Sequence, residues 1–295
     1  MAVRRRSNWY IYFISFGIAL VFAIAAIFAF RWYLFPEDSN PVGMTPTGEL
    51  SENFRPTSEH NFTALAMLAD SESDIPSLFM MIEYEAVDNR ITFVPLPNGI
   101  SMPGEGRTLP NVYAAQGGGK VIEAIEAEVG VRCDFYVKMD RSGFLELVSI
   151  FGNVTYDVPK TFLISDKSVV ETVNAGAQRL TAETMFRLMM LADYTDGESY
   201  RFNCIGNMLS ELINQNYRDK TSSLLDSYYG IITANSDNNF TEQIYKAHKA
   251  ALINTSEYGV SPAEYYIPYG EYGDDGSFVI SANSVITIQQ KAGLF

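Results

Sequence analysis

The residues most able to do chemistry are few, and most fail the spacing that chemistry demands. Gly117-Gly118-Gly119-Lys120 suggests a phosphate-binding loop. The Walker pattern, however, needs glycine where Ala114 stands and serine or threonine where Val121 stands, so the run reads as a turn ending at a helix N-terminus. Cys133 and Cys204 are the only cysteines, one in a strand-like and one in a helix-like run. They are too far apart for a CxxC redox or zinc motif, and two buried free thiols are expected rather than a bridge. His60 and His248 stand apart from any cysteine or acidic ligand spacing, so both are expected at the surface and no zinc site is predicted. No nucleophile elbow, zinc-protease helix or serine-histidine-aspartate spacing is present.

The elements that must position any site begin with strands. Thr63 to Leu68, Ser77 to Tyr84 and Arg90 to Leu96 are short apolar runs, the last two separated by Asp88-Asn89 as in a hairpin. Lys120 to Val129 places Val121, Ile122, Ile125 and Val129 at helical spacing, with Gly130 as the stop. Phe135 to Met139 reads as a strand and Arg141 to Phe151 as a helix. Helices are predicted over Thr181 to Ala192, Tyr200 to Asn216, Thr221 to Thr233 and Phe240 to Ile253. A closing pair of strands, Glu264 to Pro268 and Ser277 to Ser281, is expected around the Asp274-Asp275-Gly276 turn. Strands interleaved with helices predict an α/β sandwich, a mixed sheet flanked by helices.

Ahead of this domain lies a different kind of sequence. Residues 1–8 carry Arg4, Arg5 and Arg6 and no acid, and Trp9 to Phe30 has no charge. At about 1.5 Å per residue those 22 residues make a helix roughly 33 Å long, enough to span a bilayer. The arginine bias puts the N-terminus in the cytoplasm and the rest outside. The expected organisation is a cytoplasmic segment 1–8, a transmembrane signal anchor 9–35, a proline-bearing stalk 36–60 and an extracellular domain 61–295. Of the net charge of −14, the four arginines before Glu37 contribute +4, so the exported part carries −18. Such a domain repels nucleic acid, and none is expected as a partner.

The order of these segments resembles the LytR-CpsA-Psr family of bacterial cell-envelope proteins. The resemblance rests on Ala64-Leu-Ala-Met-Leu-Ala-Asp70, Arg90-Ile-Thr-Phe-Val-Pro-Leu-Pro97, Gly104-Glu-Gly-Arg-Thr-Leu-Pro-Asn111, Phe151-Gly-Asn-Val-Thr-Tyr-Asp-Val-Pro159 and Tyr266-Ile-Pro-Tyr-Gly270. It implies a protein that moves a phosphate-linked glycopolymer from a polyprenyl pyrophosphate lipid to peptidoglycan. The family grips the pyrophosphate with arginines and holds a divalent metal with carboxylates. Arginine forks match phosphate oxygens, and a metal neutralises developing charge.

Carried over residue by residue, the resemblance assigns substrate binding to Asp70, Arg107 (lysine in the family), Asn111 and Arg201. Their ordinary readings are a strand-end acid for Asp70, a helix cap for Asn111 and surface charges for both arginines. No catalytic residue and no metal ligand is assigned, and magnesium is implied only if the family's site operates. The family's Pro-Arg-Asp is Pro97-Asn98-Gly99 here, a further acid falls on Pro76 with Asp74 two residues early, and two arginines fall on Met190 and Ala192. The expected role is a diverged, weakly active or non-catalytic lipid-binding member, tied to the membrane and to a polyprenyl-linked phosphate lipid or cell-wall polymer. The alternatives are an active phosphotransferase and a structural ectodomain that meets other envelope proteins through tyrosines such as Tyr228, Tyr229, Tyr265, Tyr266, Tyr269 and Tyr272.

Overall fold

The computed structural model describes residues 43–45, 49–70, 73–100, 108–166, 169–191, 194, 196–218 and 222–294. The predicted anchor 9–35, with its charge-free run, lies outside the described residues, and among those described no helix is long and apolar enough to cross a membrane. Part of the segment read as stalk packs on the domain. Met44 bridges to Leu50, and both Met44 and Phe54 are buried in the core.

A six-stranded mixed sheet forms the middle layer. Its strands are β1 (Phe62–Leu68), β2 (Leu78–Glu85), β3 (Arg90–Leu96), β4 (Phe135–Met139), β9 (Ser236–Asn238) and β10 (Ala263–Tyr265), in the order β10-β3-β2-β1-β4-β9. β1 and β4 are parallel, whereas β1, β2 and β3 alternate in direction. The β1 to β3 sequences are almost continuously apolar because helices cover both faces. The turn between β2 and β3 holds Asn89 at φ 51°, a left-handed conformation that asparagine tolerates, and the Asn89 side chain accepts from Asn254 and Thr255. Pro95 sits in β3 beyond the end of β10, where the missing N–H breaks no ladder on that side.

One face carries α1 (Leu109–Gln116), α2 (Gly118–Val129) and α8 (Ala282–Lys291), whose apolar stripes meet Leu65, Met67, Phe79, Met81, Val94 and Leu96. The Gly117 to Gly119 run is the junction of α1 and α2, with Gly117 at φ 76°. The other face carries α3 (Arg141–Phe151), α4 (Ala182–Met190), α5 (Glu198–Asn216), α6 (Ser222–Ala234) and α7 (Glu242–Tyr258). Asp140 caps α3 by accepting from the Gly143 amide at 2.9 Å, which holds the Asp140 carboxyl below its ordinary range. A Cβ at Gly143 would stand 2.6 Å from the Asn235 carbonyl oxygen, which is backbone and cannot step aside. Gly143→Ala is therefore expected to lower stability by about 1–3 kcal/mol in denaturant unfolding.

Several elements differ from the sequence expectation. Ala263–Tyr265 does not pair with the closing strand; it joins the main sheet parallel to β3, where Ile91–Phe93 offers an open edge. The hairpin arm that pairs with β12 (Phe278–Ile280) is β11 (Gly270–Tyr272), and Gly273 donates to the Ser277 carbonyl across the turn. A further arm, not assigned from sequence, extends from α3: β5 (Val154–Val158) pairs with β8 (Gly176–Leu180), and β6 (Phe162–Asp166) with β7 (Val169–Val173). Cys133 and Cys204 are free and buried in separate cores on opposite faces of the sheet. His248 is not a surface residue. It is half-buried, its ring 5.0 Å from that of Phe62 and its Nδ1 2.9 Å from the His60 carbonyl oxygen.

Candidate functional site

Between the sheet and helices α3, α5, α6 and α7 lies a cavity of about 370 Å³. Its origin is visible in β1, where Ala64 and Ala66 occupy successive positions facing these helices and leave room that larger side chains would fill. The walls are aliphatic and aromatic, with no charged side chain among the lining residues. The cavity extends from Leu68, Leu78 and Met139 at one end of the sheet to Phe62, Ile82 and Phe135 at the other. Six residues of strand make that roughly 20 Å. An apolar occupant would remove this apolar lining from water.

The end near Leu68 and Met139 has a polar rim built from chain segments distant in sequence. The Asn98 amide donates to the Ser77 carbonyl at 2.9 Å, and the Ser77 hydroxyl lies 4.0 Å from the Met190 sulfur. Thus two positions where the resemblance expects arginines, Asn98 and Met190, converge on the residue after Pro76. Arg201, in the first turn of α5, reaches the same end. Its Nη2 donates to the Met189 carbonyl at 2.7 Å, and Met189 lines the cavity. Arg201 is only 9% exposed, and its Nε has no hydrogen-bond partner. Burial pushes its pKa down, opposed by Tyr194 and Glu198, but a guanidinium stays protonated regardless. Burial likewise pushes Glu198 up, with Arg201 opposing.

The other predicted site residues fare differently. Asp70 is exposed just beyond β1, its carbonyl accepting from the Ser73 amide at 3.0 Å. Asn111 is exposed in the first turn of α1, across the sheet from the cavity. Thr108, not Asn111, is the N-cap there, and the Leu109 amide donates to the Asn98 carbonyl at 3.2 Å, tying that helix start to the rim. Arg107 lies outside the described residues. Arg201 is no surface charge, because α5 enters the core at its N-terminus.

Sequence reasoning passed over the cations already matched by acids. Lys138, buried in β4, pairs with Asp74 at 3.1 Å. Arg141 and Arg187 share Glu183 at 2.5 Å each, and Arg187 also meets Glu171 at 3.4 Å. Burial acts to raise Glu183, but the two guanidinium hydrogen bonds outweigh it and hold the carboxyl below its ordinary range. A lysine inside an otherwise apolar strand was the one available signal for Lys138. No three His, Cys, Asp or Glu side chains converge as a metal set among the described residues. Asp74, the acid nearest the position where the family carries one, is engaged by Lys138.

Comparison with known proteins agrees with this architecture. No curated protein matches the chain. A crystal structure described as a transcription regulator from Eubacterium siraeum DSM 15702 is similar at 27% identity and TM-score 0.76, covering 84% of this chain and 98% of its own. TagV of B. subtilis shares 16% identity at TM-score 0.64, over 80% of this chain and 99% of TagV. A structure of TagT bound to LI-WTA shares 13% identity at TM-score 0.58, over 85% and 99% respectively. The last two likenesses are of fold. The LytR_cpsA_psr family profile matches residues 79–277, which run from β2 to the residue before β12 and so take in every strand of the main sheet but β1. On that match, over two thirds of its length, the chain belongs to the LytR-CpsA-Psr family.

Proposed function

We propose that this chain is a membrane-anchored cell-envelope protein that holds a polyprenyl-linked phosphate lipid during the handling of cell-wall glycopolymer, without the full machinery for transfer. The anchor is Trp9 to Phe30, with the N-terminus cytoplasmic and the domain outside. The lipid chain lies along β1 in the cavity and the phosphate at the rim against Arg201. The observation that carries the reading is a charge-free cavity whose lining residue Met189 has its carbonyl bonded to the buried guanidinium of Arg201, the Nε of which has no partner. A structure of TagT, of the same fold, is of the protein bound to LI-WTA, which supports a cell-wall polymer as the cargo. The regulator description of the E. siraeum protein does not transfer, because a domain of charge −18 repels nucleic acid.

Transfer chemistry is disfavoured by what surrounds the rim. Lys138, Arg141 and Arg187 are each matched by carboxylates, and Asn98 and Met190 bring no charge. Phosphoryl transfer relies on positioned positive charge for most of its acceleration. The purified full chain, given a polyprenyl diphosphate-linked substrate with and without magnesium, is expected to bind without turnover. Metal-dependent release of lipid phosphate would sink the non-catalytic reading in favour of an active phosphotransferase. The topology has its own check: protease added outside intact cells should remove the domain and spare the first eight residues, and protection of the domain would reverse the orientation.

A structural ectodomain fits less well. Tyr228 is buried, Tyr229, Tyr265 and Tyr266 are partly buried, and only Tyr269 and Tyr272 of the six tyrosines are exposed.

A further inference from the structure

We infer that the end of the domain formed by the β2–β3 turn and the loop after α7 rests on the outer surface of the bilayer, with Val87, Tyr258 and Val260 as its apolar contacts. The inference rests on the proposed anchor at Trp9 to Phe30 and concerns how the domain sits on it.

The three residues are distant in sequence, and folding brings their segments together. The Asn89 side chain, just after Val87 in the turn, accepts from Asn254 at 2.9 Å and from Thr255 at 2.8 Å, one helical turn before Tyr258. Val87 is 57%, Tyr258 67% and Val260 90% exposed. Val260 does not hang on a loose loop. The Gly259 amide donates to the Thr255 carbonyl at 2.8 Å on one side, and the Ile91 amide donates to the Pro262 carbonyl at 2.7 Å on the other. Between them Ser261 is held at φ 50°, a left-handed conformation that persists in a residue other than glycine only where its surroundings impose it.

The chain arrives from the anchor at this same end. Asn61 accepts from the amide of Ala86, the residue before Val87, at 2.9 Å. The His60 ring lies 5.4 Å from that of Phe54, and Phe54 packs directly on Gly43. Gly43 stands eight residues beyond Phe35, where the proposed anchor ends, and eight residues reach at most about 29 Å. The opposite end of the sheet also exposes apolar groups, Tyr272 and Val279, on a hairpin bridged to Ile100 beyond β3. That end is a further strand length away, about 23 Å for seven residues, so the short tether favours the near one.

Charge does not draw this end to an anionic surface. Its exposed acids Glu59, Asp88, Asp134 and Glu257 outnumber its exposed bases Arg55 and Arg132, and the exported part carries −18. The contact therefore depends on apolar insertion, with the tyrosine ring at the headgroup level and the valines below it. Seated this way, the Phe62 end of the cavity faces the bilayer and the Met189 end faces away, which suits a lipid that keeps its tail toward the membrane and its phosphate outward.

The test places the full chain in phosphatidylcholine nanodiscs and reads a nitroxide on one introduced cysteine, the native Cys133 and Cys204 being buried. Accessibility is measured to oxygen, which partitions into lipid, and to a nickel chelate, which stays in water. The ratio of the two is expected to be at least fivefold higher for Val260→Cys and for Val87→Cys than for Val279→Cys at the opposite end. In the Val87→Cys protein, adding Tyr258→Asp and Val260→Asp should bring the ratio down to the Val279→Cys level. A chain that enters nanodiscs but gives equal ratios at all three positions, or the highest ratio at Val279→Cys, overturns the inference while leaving the anchor intact. A ratio at Val87→Cys unmoved by the two aspartates shows that the tether alone sets the seat and overturns the role given to these side chains. Failure of the chain to enter nanodiscs overturns the anchor reading and the inference with it.

Discussion

Ala66→Phe is expected to reduce binding of a polyprenyl phosphate by about 100-fold or more while leaving the melting temperature unchanged or raised. Ala66 lies mid-strand in β1 and faces the cavity, so an aromatic ring there takes up the space that the lipid chain is proposed to fill. Each CH₂ removed from water contributes about 0.8 kcal/mol, so displacing even four of them exceeds the roughly 2.7 kcal/mol that separates a hundredfold in affinity. Filling an apolar space also adds dispersion contacts to the fold, which is why binding and stability should move in opposite senses. Measuring both on one preparation separates this account from misfolding. If Ala66→Phe folds as well as the native chain and binds equally tightly, the lipid is not in this cavity.

The second large effect concerns Glu83. It stands in β2 between Thr63 and Thr92, 1% exposed, and neither carboxylate oxygen has a hydrogen-bond partner. Burial pushes its pKa from 4.5 to about 8, while Lys291, held by Glu264 at 2.6 Å, pulls the other way. Because the folded value is raised, the folded state binds the proton more tightly than the unfolded chain. The stability Glu83 contributes is therefore fully present below pH 4.5 and is lost as pH rises through about 8. The loss is on the order of a few kcal/mol across that window. Glu83→Gln keeps the shape without the charge, so its melting temperature should change less between pH 5 and pH 8 than that of the native chain. Equal pH dependence in the two proteins would show that Glu83 keeps company that the buried carboxyl does not suggest.

His248 opposes this trend on the acid side. Burial holds it below 6.5, so it costs stability as pH falls beneath that value, and His248→Gln should recover some stability near pH 5.

The long, patterned elements were legible in the sequence. The strands Arg90–Leu96 and Phe135–Met139 and the helix Arg141–Phe151 stand at their predicted bounds, because apolar runs with clear stops at Pro97, Asp140 and Gly152 leave little choice. The short strands were not. Ser236–Asn238 and Ala263–Tyr265 are three residues each, and their pairing is decided by which sheet edges lie open after the longer strands assemble. The site followed the same division. Asn98, Met190 and the neighbourhood of Pro76 were singled out one by one, and folding draws them together at Ser77. The burial of Arg201 was not legible, since Tyr200-Arg201-Phe202-Asn203 reads equally well with the arginine outward. The cavity left only a faint trace, the alternate alanines of Ala64-Leu-Ala66. In a central strand that pattern matches close packing as readily as a cavity floor.

The most direct test of the central claim is native mass spectrometry of the full chain extracted from its own membrane. The account predicts one bound lipid per chain with the mass of a polyprenyl phosphate, retained by the native protein and absent from Ala66→Phe. A native chain that carries no lipid, or an Ala66→Phe chain that carries the same lipid at the same occupancy, would contradict it.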